Sequence, residues 1–179
     1  YLDGGQRGEP TSGIPVLGGD ELVPTLVTRH IAEGALVAVG PGRARQRLLA
    51  ACRTAGLQLP MLVHMTAVVS PRHAIGAGTI VYPGVVVMTD CAIGEGVLLN
   101  SGATLGHDVV VGNCASVNPG AHIAGRVMIG ERSVVGIGAS VREGVRVGSD
   151  VTIGAGSVVV KDLPDGVTAY GVPAVPRSA

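Results

Sequence analysis

An aliphatic residue stands at every sixth position along most of this chain. From Val69 to Val159, all sixteen positions of the series hold valine, isoleucine or leucine. A fixed short period is the signature of a solenoid, in which each repeat packs only against its neighbours. A period of six, with glycine often following the aliphatic residue, predicts the hexapeptide repeat of a parallel β-helix. Each hexad then forms one short, flat face, and three faces close a triangular coil.

The residue four places after each aliphatic position is nearly always small, as at Thr79, Cys91 and Ala103. Side chains of this size fit the constricted corners of a triangular coil. No hexad carries an insertion, so no long loop is expected to leave the prism. With about 4.8 Å between stacked strands, a little over five coils make a prism roughly 25 Å long.

The first part of the chain, residues 1–64, does not follow the period and alternates between predicted helices and strands. Asp20 is expected to cap a helix with Pro24 in its first turn, and Gly56 is expected to end a second helix. The predicted elements are a helix over 20–30, a buried parallel strand over 35–39, a helix over 43–55 and a strand over 57–64. This order is typical of a small, doubly wound, Rossmann-like α/β domain, whose first strand and first loop are absent or precede Tyr1.

The period ends after residue 164. Residues 165–179 are rich in glycine and proline and predict an extended tail that caps the open end of the solenoid. The sequence therefore predicts three parts, which are a partial α/β domain over 1–64, a β-helix over 65–164 and a capping tail over 165–179.

Charge and composition narrow the functional class. The chain has 13 basic and 13 acidic residues, so nothing indicates a groove for nucleic acid or a surface for anionic lipid. It has no Phe or Trp, which fits the narrow interior of a β-helix, and no apolar run long enough to span a membrane. Its three cysteines are widely spaced and lack a CxxC motif, so we expect a reduced, cytoplasmic protein.

Histidine is the main candidate for chemistry. The five histidines contain no pair at the spacing of metal ligands, so we expect no metal site. His107 is predicted to stand at an outward-facing turn position, and Asp108 follows it directly. A neighbouring carboxylate raises the basicity of an imidazole and fixes its tautomer, which makes His107 a candidate general base. The alternative is a solvated surface histidine beside an incidental carboxylate.

Several short motifs are spread over the chain. The longest is NSGATLGHD over 100–108, which is in register with the hexads. The others are YLD at 1–3, VAVG at 37–40 with Arg45, VNPGA at 117–121 with Gly125, and GVPA at 171–174. Together they resemble the NeuD/PglD-type bacterial sugar acyltransferases, which include sialic-acid O-acetyltransferases and UDP-4-amino-sugar N-acetyltransferases. The resemblance extends over essentially the whole chain.

The resemblance implies a left-handed β-helix, a homotrimer, and acetyl-CoA as the acyl donor. His107 would be the general base that takes a proton from a sugar amine or hydroxyl as it attacks the thioester, with Asp108 in support. Such a base typically contributes about 10²–10⁴-fold to the rate. Asn100 would orient the substrate, and its alternative role is a side-chain ladder in a turn. Transfer would be direct, within a ternary complex and without a covalent enzyme intermediate.

The resemblance also implies two sets of binding residues. Acetyl-CoA would lie in the groove between adjacent prisms, with Lys161 and Arg177 near its phosphates. The residues implied to contact it are Ser116, Gly125, Gly136, Ile137, Gly138, Ala155 and Lys161. The residues implied to contact the sugar or nucleotide are Asp3, Gly40 and Arg45. Two positions depart from the family pattern, since Ser116 replaces a histidine of many relatives and the loop over 40–42 is less polar.

The sequence thus predicts an acetyl-CoA-dependent sugar acyltransferase that N-acetylates a nucleotide-linked amino-deoxysugar. O-acetylation of a free sugar such as sialic acid is the alternative within the class, since both reactions need the same base in the same cleft. A non-catalytic β-helix scaffold is the alternative outside the class. An ice-binding β-helix would need an outward threonine ladder, and the threonines of the repeat do not align into one.

Overall fold

A computed structural model describes Leu2, Gly13 and residues 15–177 of the chain. Short strands joined by turns wind into a triangular prism, which confirms the predicted left-handed parallel β-helix. The strands are β1 (Leu62–Val63), β2 (Val68–Val69), β3 (His73–Ile75), β4 (Ile80–Val81), β5 (Val86–Val87), β6 (Cys91–Ile93), β7 (Leu98–Leu99), β8 (Thr104–Leu105), β9 (Val110–Val111), β10 (Ser116–Val117), β11 (His122–Ile123), β12 (Met128–Ile129), β13 (Val134–Val135), β14 (Ser140–Val141), β15 (Arg146–Val147), β16 (Thr152–Ile153), β17 (Val158–Val159), β18 (Thr168–Gly171) and β19 (Ala174–Arg177).

Three sheets form the faces of the prism. An eight-stranded sheet contains β1, β4, β7, β10, β13, β16, β18 and β19, a six-stranded sheet contains β2, β5, β8, β11, β14 and β17, and a five-stranded sheet contains β3, β6, β9, β12 and β15. Within the repeat, each strand pairs in parallel with the strand three further along, as Val117 pairs with Leu99 and Val135. One coil therefore takes eighteen residues, and residues eighteen apart stack in columns along the prism.

The interior of the prism is filled by the predicted aliphatic series. Leu99, Leu105 and Val117 are at most 1% exposed, and the corner residues Val97 and Ala103 are fully buried. Each fully buried aliphatic side chain contributes about 1.5–3 kcal/mol relative to an exposed one. A stack of single aliphatic side chains therefore replaces the aromatic core of a globular domain.

Three corners join the faces of the prism. The first corner joins the eight- to the six-stranded sheet, the second joins the six- to the five-stranded sheet, and the third joins the five- to the eight-stranded sheet. In one coil these corners are residues 100–103, 106–109 and 112–115, and the other coils stack on them every eighteen residues. Each turn holds one residue with a left-handed backbone, with φ of +70° at Gly102, +57° at Asp108 and +56° at Cys114. In this coil, the second and third corners therefore place non-glycine side chains where the first corner has glycine.

The helix predicted over 20–30 is present only in part. A 3₁₀ turn over Asp20–Leu22 leads into α1 (Val23–Leu26), with Pro24 in the first turn as expected. Beyond Leu26 the chain continues in turns, in which the carbonyl of Thr25 still accepts the N–H of Arg29 at 3.0 Å and the carbonyl of Leu26 accepts the N–H of Ile31 at 2.9 Å. His30, with a φ of +54°, takes the left-handed conformation that ends helices in this way, so the helical stretch closes at His30 although only Val23–Leu26 form a regular helix.

The predicted helix boundaries are right for the second helix and wrong for the start of the first. α2 (Gly42–Thr54) ends before Gly56, whose φ of +84° stops the helix as expected. Gly19, not Asp20, occupies the N-cap position of the 3₁₀ turn, and no side chain caps it. Asp20 lies within the turn, where its carboxylate is 3.8 Å from the guanidinium of Arg47 on α2.

The segment over 35–39 does not form the predicted strand. The described residues before β1 make isolated parallel bridges, such as the one between Gly34 and Gln58, rather than a sheet. β1 already belongs to the prism, because it pairs with β4. The division of the chain at residue 64 into an α/β domain and a β-helix stays a prediction.

The tail lies against the last coil. β18 adds to the eight-stranded sheet with Thr168 beside Thr152, and β19 turns back antiparallel to β18. Ala169, which belongs to β18, is fully buried. The tail therefore covers the end of the eight-stranded sheet. In the part of the chain that the structure describes, no helix is long and apolar enough to cross a membrane.

Candidate functional site

His107 and Asp108 lie in the second corner, in the turn that leaves β8. Nδ1 of His107 is 2.7 Å from Oδ2 of Asp108, and the two side chains are 41% and 54% exposed. The N–H of Asp108 donates to the carbonyl of Thr89 on the preceding coil, at 3.0 Å. The turn therefore holds the carboxylate beside the ring. With Nδ1–H donating to Asp108, the basic lone pair of the neutral imidazole is on Nε2.

The imidazole of His107 extends over the next coil, where Gly125 lies. A β-carbon on Gly125 would stand 2.6 Å from Nε2 and 2.8 Å from Cε1, closer than real contacts allow. The backbone of Gly125 is not in the left-handed region, so the turn itself does not require glycine. The sequence predicted Gly125 as a contact of acetyl-CoA, and the structure gives it a further role, which is to leave room for the ring.

Charged side chains continue along the second corner. Arg72 pairs with Asp90 at 2.9 Å, and Arg126 pairs with Glu143 on the next coil. Lys161, which the sequence predicts near the phosphates of CoA, is exposed and stands fifty-four residues, or three coils, after His107. With about 4.8 Å per coil, three coils separate the imidazole and the ammonium group by roughly 14 Å along the prism.

Asn100 lies at the first corner, at the other end of β8 from His107. Its Nδ2 donates to Oδ1 of Asn118 at 3.2 Å and to the carbonyl of Val117 at 3.3 Å, both one coil further along. This is the side-chain ladder that the sequence left open as the alternative for Asn100. Within one chain, the structure does not bring Asn100 and His107 together, because they lie at different corners.

The residues predicted to contact acetyl-CoA through their backbone also lie at the first corner. Gly136, Ile137 and Gly138 form one turn, and Ala155 belongs to the turn stacked on it. A β-carbon on Gly136 would stand 2.6 Å from the backbone nitrogen of Ala155, so glycine is needed for the two turns to stack. Ile137 is 60% exposed and presents an apolar side chain at this corner. The two predicted halves of the site therefore flank the six-stranded sheet on its two edges.

Arg45 was predicted to contact substrate, but its side chain is fully buried between α2 and the third corner. Nε donates to the carbonyl of Gly96 at 2.7 Å, and Nη1 donates to the carbonyls of Val39 and Gly40 at 2.6 and 2.7 Å. Nη2 donates to the carbonyl of Cys114 and to Oγ of Ser116, at 2.5 and 2.9 Å. Burial lowers the pKa of the guanidinium, but an arginine stays protonated. Arg45 therefore binds the segment before α2 to the prism, and it is not open to a ligand from solvent.

Three more residues that the sequence predicts to contact ligands are Ser116, Gly40 and Asp3. Ser116 is 4% exposed, and its hydroxyl accepts from Arg45, so its side chain faces α2. Gly40 is exposed, but its carbonyl is taken by Arg45. Asp3 lies outside the described residues. The contacts of Ser116 with acetyl-CoA, and of Gly40 and Asp3 with sugar or nucleotide, remain predictions.

All three cysteines are buried in the interior of the protein. Cys52, Cys91 and Cys114 are free thiols, each at most 3% exposed, and burial raises the pKa of all three. Cys91 is one of the small corner residues, as predicted. Among the described residues, no group of three or more His, Cys, Asp or Glu side chains is placed to hold a metal ion.

The repeat matches a known family. The model of the bacterial transferase hexapeptide family, described as six repeats, matches residues 73–107 and 126–161. The first matched segment ends on His107. Comparison with curated protein sequences gives no match.

Solved structures of bacterial sugar-modifying enzymes share the whole fold. The acetyltransferase domain of PglB from Neisseria gonorrhoeae is 38% identical with a TM-score of 0.93, and the match covers 98% of this chain and 85% of that one. A structure of that domain in complex with acetyl coenzyme A has also been solved. PerB from Caulobacter crescentus, in complex with CoA and GDP-perosamine, is 41% identical with a TM-score of 0.90, covering 93% of this chain and 80% of that one.

Two further structures describe variants of the Caulobacter perosamine N-acetyltransferase in which one histidine is replaced, by asparagine or by alanine. Both contain CoA and GDP-perosamine and match this chain at 39% identity with a TM-score of 0.93, covering 96% of this chain and 81% of the other. WeeI from Acinetobacter baumannii is more distant, at 25% identity and a TM-score of 0.87, covering 98% of this chain and 84% of that one.

Proposed function

This chain belongs to the bacterial hexapeptide-repeat sugar acyltransferases, and we propose that it transfers the acetyl group of acetyl-CoA to the amino group of a nucleotide-linked amino-deoxysugar. Support comes from relatives of 38% and 41% identity, one solved with acetyl coenzyme A and the other with CoA and GDP-perosamine. The observation that carries the proposal is the hydrogen-bonded pair of His107 and Asp108 on an open corner of the prism.

In the proposed reaction, His107 is the general base. Nε2 takes a proton from the sugar amine as the amine nitrogen attacks the carbonyl carbon of the thioester. The tetrahedral intermediate then collapses, the carbon–sulfur bond breaks, and the imidazolium returns the proton to the CoA thiolate. Asp108 stabilises the imidazolium and holds the Nδ1–H tautomer. A positioned base of this kind contributes about 10²–10⁴-fold to the rate, and holding both substrates together contributes the rest.

The proposal includes a homotrimer, because the predicted site is divided within one chain. His107 and Lys161 lie at the second corner, whereas Ile137 and Ala155 lie at the first corner, across the six-stranded sheet. In a closed ring of three prisms, the first corner of one chain faces the second corner of its neighbour. The groove between them would then bring the base of one chain to the acetyl-CoA surface of the next.

Acetyl-CoA is proposed to run along this groove with its thioester near His107. The glycine turns of the first corner leave the backbone open to the pantetheine arm. Lys161 and Arg177 would meet the phosphates. In the isolated chain, the guanidinium of Arg177 lies over the ring of Tyr170, with 5.4 Å between its central carbon and the ring centroid. We place the enzyme in the cytoplasm, in keeping with its three free thiols.

The first test is a thiol-release assay. Purified protein with acetyl-CoA is offered GDP-, UDP- and dTDP-linked amino sugars and free sialic acid, and the release of CoA is followed. Turnover on a nucleotide-linked amino sugar is expected, and His107→Asn is expected to reduce it about 10²–10⁴-fold. His73→Asn is the matched control, since it removes another exposed imidazole, from β3 about two coils before His107.

The assay separates the alternatives. Turnover on sialic acid instead of the amino sugars would show that the protein is an O-acetyltransferase. Turnover that survives His107→Asn would remove His107 as the base. Absence of both turnover and CoA binding by calorimetry would support a non-catalytic scaffold.

A further inference from the structure

One coil beyond the proposed base stands an arginine, with a carboxylate residue on the coil before it and another on the coil after it. The N–H of Arg126 donates to the carbonyl of His107 at 2.8 Å, so Arg126 lies one coil beyond the His107–Asp108 turn. Glu143 lies on the following coil, and its carboxylate binds the guanidinium of Arg126. Asp108 and Arg126 both have left-handed backbones, with φ of +57° and +59°. They therefore occupy the same position of successive coils.

Elsewhere in this prism, the same stacking of an arginine and an aspartate gives an ion pair. Arg132 and Asp150 stand eighteen residues apart at the third corner, both with left-handed backbones, and their side chains are joined at 2.8 and 3.0 Å. Arg72 and Asp90 stand eighteen residues apart at the second corner and are joined at 2.9 Å. In each pair, a single coil of about 4.8 Å separates the two residues, a distance that an arginine side chain spans easily.

Asp108 and Arg126 have this stacking but do not form this pair. The carboxylate of Asp108 accepts from Nδ1 of His107, and the guanidinium of Arg126 lies on Glu143. The order of acid and base along the chain is reversed relative to the other two pairs. Because the arginine stem is flexible, its guanidinium reaches the coil before it as well as the coil after it. Of the two carboxylates, it is that of Glu143 that Arg126 contacts in the structure.

We infer that Glu143 is a positioning residue that keeps Asp108 on His107 by holding Arg126 on the far side. The inference rests on the proposed role of His107 as the base. Without Glu143, the guanidinium of Arg126 turns to Asp108, as that of Arg132 does to Asp150. The carboxylate is then divided between Arg126 and the imidazole, and the hydrogen bond that fixes the Nδ1–H tautomer weakens. Fewer molecules then carry the basic lone pair on Nε2.

The arrangement predicts a specific pattern of loss and rescue. Glu143→Ala is expected to lower kcat about 10-fold, the lower end of the effect of losing a group that orients a functional histidine. The KM values for acetyl-CoA and for the acceptor are expected to stay within about 2-fold, because no binding contact is removed. Adding Arg126→Ala to Glu143→Ala is expected to restore kcat, since no guanidinium then competes for Asp108. Arg126→Ala alone is expected to have kcat near that of the unaltered protein.

Glu131→Ala is the matched control. Glu131 occupies the equivalent corner position at the third corner and binds Arg132 at 2.8 Å, so its loss removes the same chemistry from a different corner. Nitrogen-15 NMR of histidine-labelled protein supplies a readout that is independent of turnover. The His107 signals, assigned by their absence in His107→Asn, report the tautomer directly. Their shifts are expected to move toward the ordinary tautomer mixture in Glu143→Ala and to return in the double variant.

Each outcome decides the inference. An unchanged kcat and unchanged nitrogen-15 shifts in Glu143→Ala would overturn it. Loss of kcat that Arg126→Ala does not restore would also overturn it, because Glu143 would then act by another route. A change confined to the KM for acetyl-CoA would assign Glu143 to donor binding instead. If the protein transfers no acetyl group at all, the proposed function fails, but the nitrogen-15 shifts of the variants still test the role of Glu143.

Discussion

The imidazole of His107 lies so close over Gly125 that the smallest side chain at position 125 would collide with it. Nε2 is the ring atom nearest to the place of the missing β-carbon, at 2.6 Å. The same corner position is held in other coils by Thr89, Glu143 and Lys161, which all carry side chains. Glycine at 125 is therefore required by the ring of the preceding coil and not by the geometry of the turn.

Gly125→Ala is expected to displace the imidazole while leaving the fold intact. A misplacement of about 1 Å at a reacting group lowers the rate by up to about 10²-fold, so kcat should fall by 10- to 100-fold. The melting temperature should change little, because alanine tolerates the backbone conformation at 125. Steady-state kinetics and thermal denaturation measure the two effects. Ser149→Ala, at the equivalent position of the third corner, is the control, and a Gly125→Ala protein with full kcat would contradict this account.

Asp108→Asn is expected to lower kcat about 10- to 100-fold, because an amide cannot stabilise the imidazolium as a carboxylate does. Asparagine tolerates the left-handed backbone at 108 as well as aspartate does, so stability should not change. Asp108→Ala should lose the same activity and in addition about 1 kcal/mol of unfolding free energy. Kinetics and urea denaturation of both variants separate chemistry from turn strain. Asp90→Asn, one coil earlier, should keep full activity, and equal losses at 90 and 108 would refute the assignment.

Arg45→Met is expected to reduce the free energy of unfolding by about 3 kcal/mol. The substitution leaves buried carbonyls without a donor, including those of Gly96 and Cys114, and each lost bond to a charged group costs about 1.5–3 kcal/mol before relaxation. Arg45→Lys should recover only part of the loss, since an ammonium group lacks the planar fork. Urea denaturation measures both. Arg53→Met, which removes an exposed ion pair with Glu95 from the same helix, should stay within about 1 kcal/mol of the original.

The thiols of the native protein are expected to be unreactive. Cys52, Cys91 and Cys114 are buried, and burial raises the pKa of each, which lowers the thiolate fraction at neutral pH. An aromatic disulfide reagent should therefore label none of them quickly in the folded protein and all three in guanidinium. This matters for the thiol-release assay, whose background should be low. Rapid labelling of a native thiol would show that a buried corner opens on the time scale of the assay.

The prism was predictable from the sequence because its period is local and uninterrupted. The environment of an inward residue such as Leu99 recurs eighteen residues later, at Val117. The sequence of each coil therefore supports the same prediction as that of its neighbours. The segment before the prism offers no such repetition. The helix predicted over 20–30 is regular only to Leu26 and closes in turns at the left-handed His30, and the apolar run over 35–39 belongs to no sheet of the described residues. Propensity alone does not decide such short segments, because tertiary contacts override it.

The geometry of the candidate site was predictable where its side chains are neighbours in sequence. His107 and Asp108 are adjacent, so their pairing needed no knowledge of the fold. The role of Gly125 needed the stacking of coils, although one sequence signal was available, since it is glycine in a column whose other members carry side chains. The burial of Arg45 had no such signal, because its partners on the prism are backbone carbonyls fifty or more residues away.

The strict eighteen-residue coil has a consequence for how enzymes of this shape diverge. Side chains can change freely in direction and chemistry, but the distance between His107 and Lys161 is a whole number of coil heights, here three, or roughly 14 Å. Insertions of other lengths would rotate one group onto a different corner. The spacing between two groups on one corner can therefore grow or shrink only in increments of about 4.8 Å, by the gain or loss of entire coils.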